Sequence, residues 1–367
     1  MKRQVNVIFI VVFMIMIVFV PVYMFFADDR DFSENENRYL SEKPRLTMDN
    51  ILTGKYFRDF EGYVDDQFAF RESLYEFKTK IQKKVGNRDI NGVYLADDSY
   101  LIEKTLDSDL DNNKLLDNIK RLNEFGEKNS DKKMQLMIVP TASLILQDKL
   151  PKYALNFNQD EIIDMIKDNV DGITFIDLRD NLLQHRNEYI YYKTDHHWTT
   201  LGSFYGYQEW GKYNDVVVGI NDYTSEVVSS NFKGSLYSKI LDSDLESDEI
   251  RIFRNSKQDN YEVFYNFKRS KGYSVYDFKK LEEKDKYQFF LGGNYPELRI
   301  KTNNENGKNL LLMKDSYANS FVPFMLEHYE NIYVIDMRYF KQNLDEYMAL
   351  NDVSEILFLY NALNFVK

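Results

Sequence analysis

The 367 residues include no cysteine. Disulfides, thiolate metal sites, a cysteine nucleophile and attachment through a lipidated cysteine are all excluded. Histidine is scarce, so imidazole chemistry must use His185, His196, His197 or His328. Positive charge is in deficit: 47 Lys and Arg stand against 59 Asp and Glu, a formal net charge of −12. That balance lacks the basic footprint that nucleic-acid binding needs. No internal repeat is evident. What the chain does have is aromatic side chains, 28 Tyr and 27 Phe. Such rings fill cores and also stack on the apolar faces of sugars. The length and the 44% hydrophobic share suffice for at least one full core.

From Val5 to Ala27 the chain is almost wholly apolar, broken only by Asn6, Pro21 and Tyr23. A bilayer span needs about 20 such residues. Lys2 and Arg3 precede the run, and Asp28, Asp29 and Asp31 follow it. By the positive-inside rule this predicts an uncleaved single-pass anchor over residues 1–27, with everything after it extracytoplasmic. A cleaved signal peptide is the rival reading. Its apolar core is about 7–15 residues and ends at small residues, whereas this run ends in Met24-Phe25-Phe26.

Residues 28–54 are polar, include Pro44 and read as a tether. Phe57, Phe60, Val64, Phe68, Leu74, Phe77, Ile81 and Val85 then recur every three or four residues, predicting one face of a long helix ended by Gly86-Asn87. Arg71 falls within that stripe and needs a partner, for which Asp65 or Asp66 is suited. Gly92–Leu95 and Tyr100–Ile102 predict a hairpin, completing a module over 28–107. From residue 108 helix and strand alternate. Leu115, Ile119 and Leu122 mark a helix stopped by Gly126, and Ile162, Ile163, Ile166 and Val170 mark another. Apolar strand runs occur at Met134–Val139, Ile173–Ile176, Leu310–Met313, Ile332–Ile335 and Ile356–Leu359. Buried strands alternating with helices predict an α/β domain over 108–367 with a mainly parallel sheet. Residues 214–305, rich in Tyr, Asn, Asp and Lys, break the rhythm and read as an insertion decorating that sheet.

Two histidines stand together in Thr194-Asp195-His196-His197-Trp198-Thr199-Thr200, ahead of a helix that Thr199 or Thr200 would cap. If the backbone is extended there, Asp195 and His197 share a side and His196 points away. A carboxylate beside an imidazole fixes its tautomer and stabilises the imidazolium of a working base. Two capping residues at a helix start would look the same. A hydroxyl is supplied by Ser316, where Leu310–Met313 runs into Lys314-Asp315-Ser316-Tyr317-Ala318-Asn319-Ser320. Pro323 places the next helix start near Ser320. Ser316 would then lie at the C-terminal end of a sheet strand, where ligands bind in open α/β folds. Free N–H groups there, such as that of Tyr317, could stabilise an oxyanion.

Asp195-His196-His197-Trp198, together with Lys314–Ser320, resembles the DHHW family, relatives of the alginate O-acetylation proteins and more distantly of SGNH hydrolases. Lesser matches are Glu36-Asn37-Arg38, Leu291-Gly292-Gly293-Asn294 and Asp336-Met337-Arg338-Tyr339-Phe340. The resemblance implies an SGNH-hydrolase-like α/β/α sandwich with permuted motif order, since acid and base precede the serine. It implies a catalytic Ser316, His197 and Asp195. Oxyanion candidates are Tyr317, Gly293, Asn294 and Asn361; substrate-binding candidates are Arg338, Trp198 and Tyr317, with a structural ion pair the other use of Arg338. No metal or cofactor is implied. The implied activity is acetyl transfer to a cell-surface or secreted polysaccharide, fed by a membrane-bound O-acyltransferase partner. An acetylesterase with the same triad, a non-catalytic polysaccharide-binding scaffold and a metal-dependent phosphoesterase are the competing readings. The last would need further clustered Asp and His motifs, and His185 and His328 stand in no such context.

Overall fold

A computed structural model describes residues 2–255, 260–266, 271–272 and 274–366. Parts of the expected insertion, 256–259, 267–270 and 273, therefore lie outside the described residues. The chain divides into two compact units, one of Met1–Asn87 with Ser238–Asp244, the other of Arg88–Tyr237 with Leu245–Lys367.

In the smaller unit the apolar run is helical in three pieces: Lys2–Met14, a π-helical turn at Ile15–Phe19, and Val20–Phe26 with Pro21 in its first turn. Among the described residues no helix is long and apolar enough to cross a membrane. This corrects the expected anchor. The hydrogen-bond ladder changes register at Ile15–Phe19, and Pro21 has no N–H to continue it. The predicted long helix is likewise two, Lys55–Gln67 and Arg71–Lys84. Phe70, at φ 59°, turns the chain between them. Its stripe is not a buried face: Phe57, Leu74, Phe77, Ile81 and Val85 are exposed.

Arg71 pairs with Glu36, not with Asp65 or Asp66. Asp66 instead receives a fork from Arg38, at 2.9 and 2.5 Å, and both the N–H and hydroxyl of Ser41. Those bonds, led by Arg38, hold its carboxyl down to about 2. Glu36-Asn37-Arg38 is thus the polar knot of this unit. Ser238–Asp244 joins it through Thr79 Oγ1, which donates to the Ile240 carbonyl, and a Lys83–Asp242 ion pair.

The larger unit is built on an eight-stranded sheet: β1 Lys133–Val139, β2 Thr174–Asp177, β3 Tyr261–Tyr265, β4 Lys271–Gly272, β5 Glu297–Thr302, β6 Asn309–Lys314, β7 Asn331–Ile335 and β8 Glu355–Asn361. Their order is β4-β3-β5-β7-β6-β8-β1-β2. The five strands β7, β6, β8, β1 and β2 are parallel. Their apolar runs are what strands covered on both faces require, and Leu310–Leu312, Ile332–Ile335 and Leu136–Val139 are fully buried. The remaining three strands pair antiparallel at the β7 edge, so the 214–305 region extends the sheet as well as decorating it. The hairpin is present as Val93–Leu95 paired with Leu101–Glu103, with Asp89–Ile90 as a third strand.

Helix α1, Asn112–Lys128, buries Leu115, Ile119 and Leu122 and runs past Gly126. That glycine serves packing rather than termination, since a Cβ there would sit 3.4 Å from the Asp171 carbonyl and Ile173. Helix α2 is Gln159–Asn169 and α3 is Thr200–Lys212, the latter capped by Thr199 Oγ1 accepting from Gly202 N–H. From β6 the chain goes to β7 on one side, and from β1 to β2 on the other. The C-terminal ends of β6 and β8 therefore flank a topological switch, the place where open α/β sheets form a crevice.

Candidate active site

Residues Tyr191–Trp198 form a loop closed by a bridge between its ends and by Tyr192 N–H to the His197 carbonyl. Its tip is held from two sides. Buried Asp248 accepts from Lys193 N–H at 2.8 Å, Thr194 N–H at 2.7 Å, the Thr194 hydroxyl at 2.5 Å, and the Tyr189 hydroxyl. Opposite it, Gly234 N–H donates to Thr194 Oγ1, and Leu236 and Tyr237 N–H donate to the Thr194 carbonyl. The tip is a bend, not an extended strand. Asp195 and His197 do share a side, but His196 does not point away: its ring lies 3.9 Å from that of His197 and its Nδ1 contacts Ser235 Oγ at 2.7 Å.

The Asp195 carboxylate takes three N–H donors: His197 Nδ1 at 2.6 Å, His197 backbone N–H at 3.0 Å and Ser235 N–H at 2.7 Å. His197 Nε2 stands 2.7 Å from Ser316 Oγ. Tyr287 stacks flat on the His197 ring at 3.8 Å, and its hydroxyl donates to the Ser316 carbonyl at 3.1 Å. Burial opposes the charge on Asp195, but the two neighbouring imidazoles and the donated hydrogen bonds together outweigh it and leave the carboxyl well below its ordinary range. His197 is pulled down to about 4, first by burial and then by His196, with Asp195 acting the other way. A neutral imidazole between a carboxylate and a hydroxyl is the arrangement of a general base. Ester turnover should therefore keep its acid limb near pH 4. A limb at or above the ordinary imidazole value of about 6.5 in a pH–rate profile would contradict this assignment.

Gly234 and Ser235 are functional neighbours that no sequence spacing announced. A Cβ on Gly234 would lie 2.3 Å from the Asp195 Cβ and 2.4 Å from its Oδ2. Gly234→Ala is expected to push the carboxylate off His197. A displacement of that order costs about a hundredfold in kcat/KM. Turnover within twofold of wild type in a folded variant would refute it.

The nucleophile turn is a 3₁₀ stretch, Ser316–Ser320, followed by the single helical turn Val322–Met325 with Pro323 at its start. Asp315 caps it, accepting from Tyr317 N–H at 2.9 Å, and reaches the end of β8 through Asn361 N–H at 2.8 Å and Asn364 at 2.7 Å. Three oxyanion candidates are thereby spent. Tyr317 N–H goes to Asp315, Gly293 N–H to the Phe290 carbonyl, and Asn361 gives its N–H to Asp315 and its amide to the Val139 carbonyl. Asn294 differs: its Oδ1 accepts from Lys314 at 2.7 Å and Asn319 at 3.3 Å, leaving its Nδ2 outward. That group and Ser316 N–H have no hydrogen-bond partner among the described residues.

Of the substrate-binding candidates, Trp198 is fully buried with Nε1 donating to the Tyr317 carbonyl, and Tyr317 is buried with its hydroxyl on the His196 carbonyl. Neither has a free face to offer a ligand; both brace the two catalytic loops against each other. Arg338 is half-exposed and forks onto Asp336 at 2.8 and 2.5 Å. Asp195, His196 and His197 bring ligand-type atoms within 4.8 Å of one another, as a metal site would. Both ring nitrogens of His197 are, however, engaged by Asp195 and Ser316. His185 stacks on Tyr205, and His328 bonds the Tyr207 hydroxyl, both as packing groups.

An α/β fold with a mainly parallel sheet, carrying Asp, His and Ser in line at the end of its central strand, has the layout of a serine acyl-transfer or hydrolytic protein. The sequence model described as DHHW protein matches residues 128–335, and the chain belongs to that family. No curated protein matches it. Among solved structures it is similar to a DHHW family protein from Eubacterium siraeum, with 27% identity and a TM-score of 0.65 over 76% of this chain and 93% of that one. It is also similar to PatB1 of Bacillus cereus, determined with a sulfonyl adduct, with 19% identity and a TM-score of 0.64 over 75% and 97%. The O-acetyltransferase domain of AlgJ from Pseudomonas putida aligns at 12% identity and a TM-score of 0.48, over 75% and 92%.

Proposed function

We propose that this protein is an extracytoplasmic O-acyltransferase of permuted, SGNH-hydrolase-like type, which carries an acetyl group on Ser316 to a hydroxyl of a cell-surface or secreted polysaccharide. The observation that carries this reading is the hydrogen-bonded line from Asp195 through His197 to Ser316 Oγ. Ser316 is the partly exposed member of its turn. In the first half-reaction Oγ attacks the acyl carbonyl while its proton passes to His197 Nε2. The oxyanion is met by Ser316 N–H and Asn294 Nδ2. His197 then returns the proton to the leaving group and an acyl-enzyme remains. In the second half, His197 takes the proton of the acceptor hydroxyl, the new ester forms, and Ser316 recovers its proton. Asp195 stays ionised throughout and holds the imidazole in the tautomer with hydrogen on Nδ1.

The resemblance of Asp195–Trp198 and Lys314–Ser320 to relatives of the alginate O-acetylation proteins supports acetyl and polysaccharide as the transferred group and acceptor. PatB1, which shares the fold, was determined with a sulfonyl adduct, and this supports testing the present chain for a sulfonyl-reactive nucleophile. Lys2 and Arg3 before the apolar run, with Asp28, Asp29 and Asp31 after it, support export of the residues that follow. Acetyl-CoA is a cytoplasmic donor, so the acyl group must be handed across the bilayer, and a membrane-bound O-acyltransferase is the partner this requires.

The test is incubation of the protein with a chromogenic acetate ester, with and without saccharide acceptors, plus mass spectrometry after treatment with a sulfonyl fluoride. Acetate release, a sulfonyl group on Ser316 and acetylated saccharide are the expected products. Release without any transfer would replace the reading by an esterase. Neither release nor labelling would leave a binding scaffold.

A further inference from the structure

At the last position of β6, two residues before Ser316, stands a cation that the acyl-transfer steps leave unused. Lys314 is 2% exposed. A buried ammonium normally faces a carboxylate, because removing it from water is costly. Here the nearest carboxylate oxygen, on Asp336, is 3.9 Å away, and that carboxylate is already forked by Arg338. The close contact of Lys314 is a neutral amide oxygen, Asn294 Oδ1 at 2.7 Å. An ammonium has donors only, so it determines which way the amide faces: oxygen inward, Nδ2 outward. Asn319 reinforces that sense from the Ser316 turn itself, giving its Nδ2 to the same oxygen. A positive charge on the oxygen end of an amide also draws density from its nitrogen, so that linked hydrogen bonds strengthen one another.

We propose that Lys314 is a positioning residue, whose buried ammonium aims and polarises Asn294 as the oxyanion donor for Ser316. The inference rests on the role given to Asn294 above. The charged groups facing Lys314 are Asp336 and Arg338, which follow β7, Asp315 beside it, and His197, whose protonation it disfavours. Burial brings Lys314 down to about 8, with Asp336 and Asp315 opposing and Arg338 assisting. Below that pH the ammonium is charged; above it the amine still donates but no longer polarises.

The experiment is steady-state kinetics of the full chain on a chromogenic acetate ester across neutral and alkaline pH, with sulfonyl labelling of Ser316 alongside. Wild-type kcat should fall on an alkaline limb near pH 8. Lys314→Arg should retain most of kcat and move that limb upward. Lys314→Met should lower kcat about 10- to 100-fold with KM little changed and the limb gone, somewhat less than losing a donor outright. Adding Asn294→Ala to Lys314→Met should cost no more than Asn294→Ala alone. Unchanged kcat in Lys314→Met, additive losses in the double variant, or an alkaline limb unmoved in Lys314→Arg would each overturn the inference. The Arg variant decides should the Met variant fail to fold. A wild type that neither turns over ester nor takes the label would instead sink the reading of the site itself.

Discussion

Ser316→Ala is expected to lower turnover of an acetate ester by about ten-thousandfold or more, with the melting temperature unchanged. The serine hydroxyl lies at the partly exposed rim of its turn, and its contact is with His197 Nε2. Its loss leaves a single ring nitrogen, His197 Nε2, without its partner beside the half-exposed Ser316 position, and it removes the nucleophile on which the acyl-enzyme is built. What survives is the small catalysis that oxyanion donors and binding supply. His197→Ala should be as damaging, and the pair together no worse than either, because members of a triad act as a unit. His196→Ala removes a ring that lies tilted against His197 and should cost far less. Chromogenic assays at saturating ester, read beside thermal melts, distinguish these cases. Near-normal turnover by folded Ser316→Ala would end the assignment.

Asp195→Asn is expected to cut kcat by a similar factor, about ten-thousandfold, for a different reason. The native carboxylate is surrounded by three N–H donors, two from His197 and one from Ser235. An amide has one oxygen. If it faces His197, its NH₂ meets Ser235 N–H donor to donor; if it faces Ser235, it offers His197 a donor and favours the wrong tautomer. Leaving one buried donor unsatisfied costs about 1–3 kcal/mol, so this variant should also melt lower, unlike Ser316→Ala. Wild-type kcat in Asp195→Asn would show that the carboxylate does not orient the base.

Much of this molecule was legible in its sequence because burial on two faces writes continuous apolar runs. The strands at 133–139, 309–314, 331–335 and 355–361 each contain the run expected of them. The meeting of Asp195, His197 and Ser316 was an expectation of the family resemblance, because spacing alone reads equally as capping and turn residues. Other features were hidden because they depend on partners far along the chain. The position of His196 followed from assuming an extended backbone, whereas Asp248 and Gly234–Leu236 bend the tip that carries it. The stripe from Phe57 to Val85 fits a helical period if Arg71 is counted within the step from Phe68 to Leu74, and that period does not disclose the left-handed Phe70 that divides it. The oxyanion candidates could not be ranked either. An N–H is available or spent according to which carbonyl or carboxylate folds over it, and spacing carries no record of that.

The clamp on the Asp195 loop has a consequence for how the enzyme comes into being. Its parts are remote: Ser235 lies 40 residues from Asp195, Asp248 54 residues from Thr194, and Ser316 119 from His197. Contacts so far apart must wait for long stretches of chain to close, which is slow and is not rewarded until the intervening structure forms. The line from carboxylate to hydroxyl is therefore absent until β6 has brought Ser316 to the loop and the clamp has closed on it. Compact intermediates with a complete parallel core would still be chemically silent, and a single proteolytic nick between Gly234 and Asp248 would return a folded protein to that silence by releasing one jaw of the clamp.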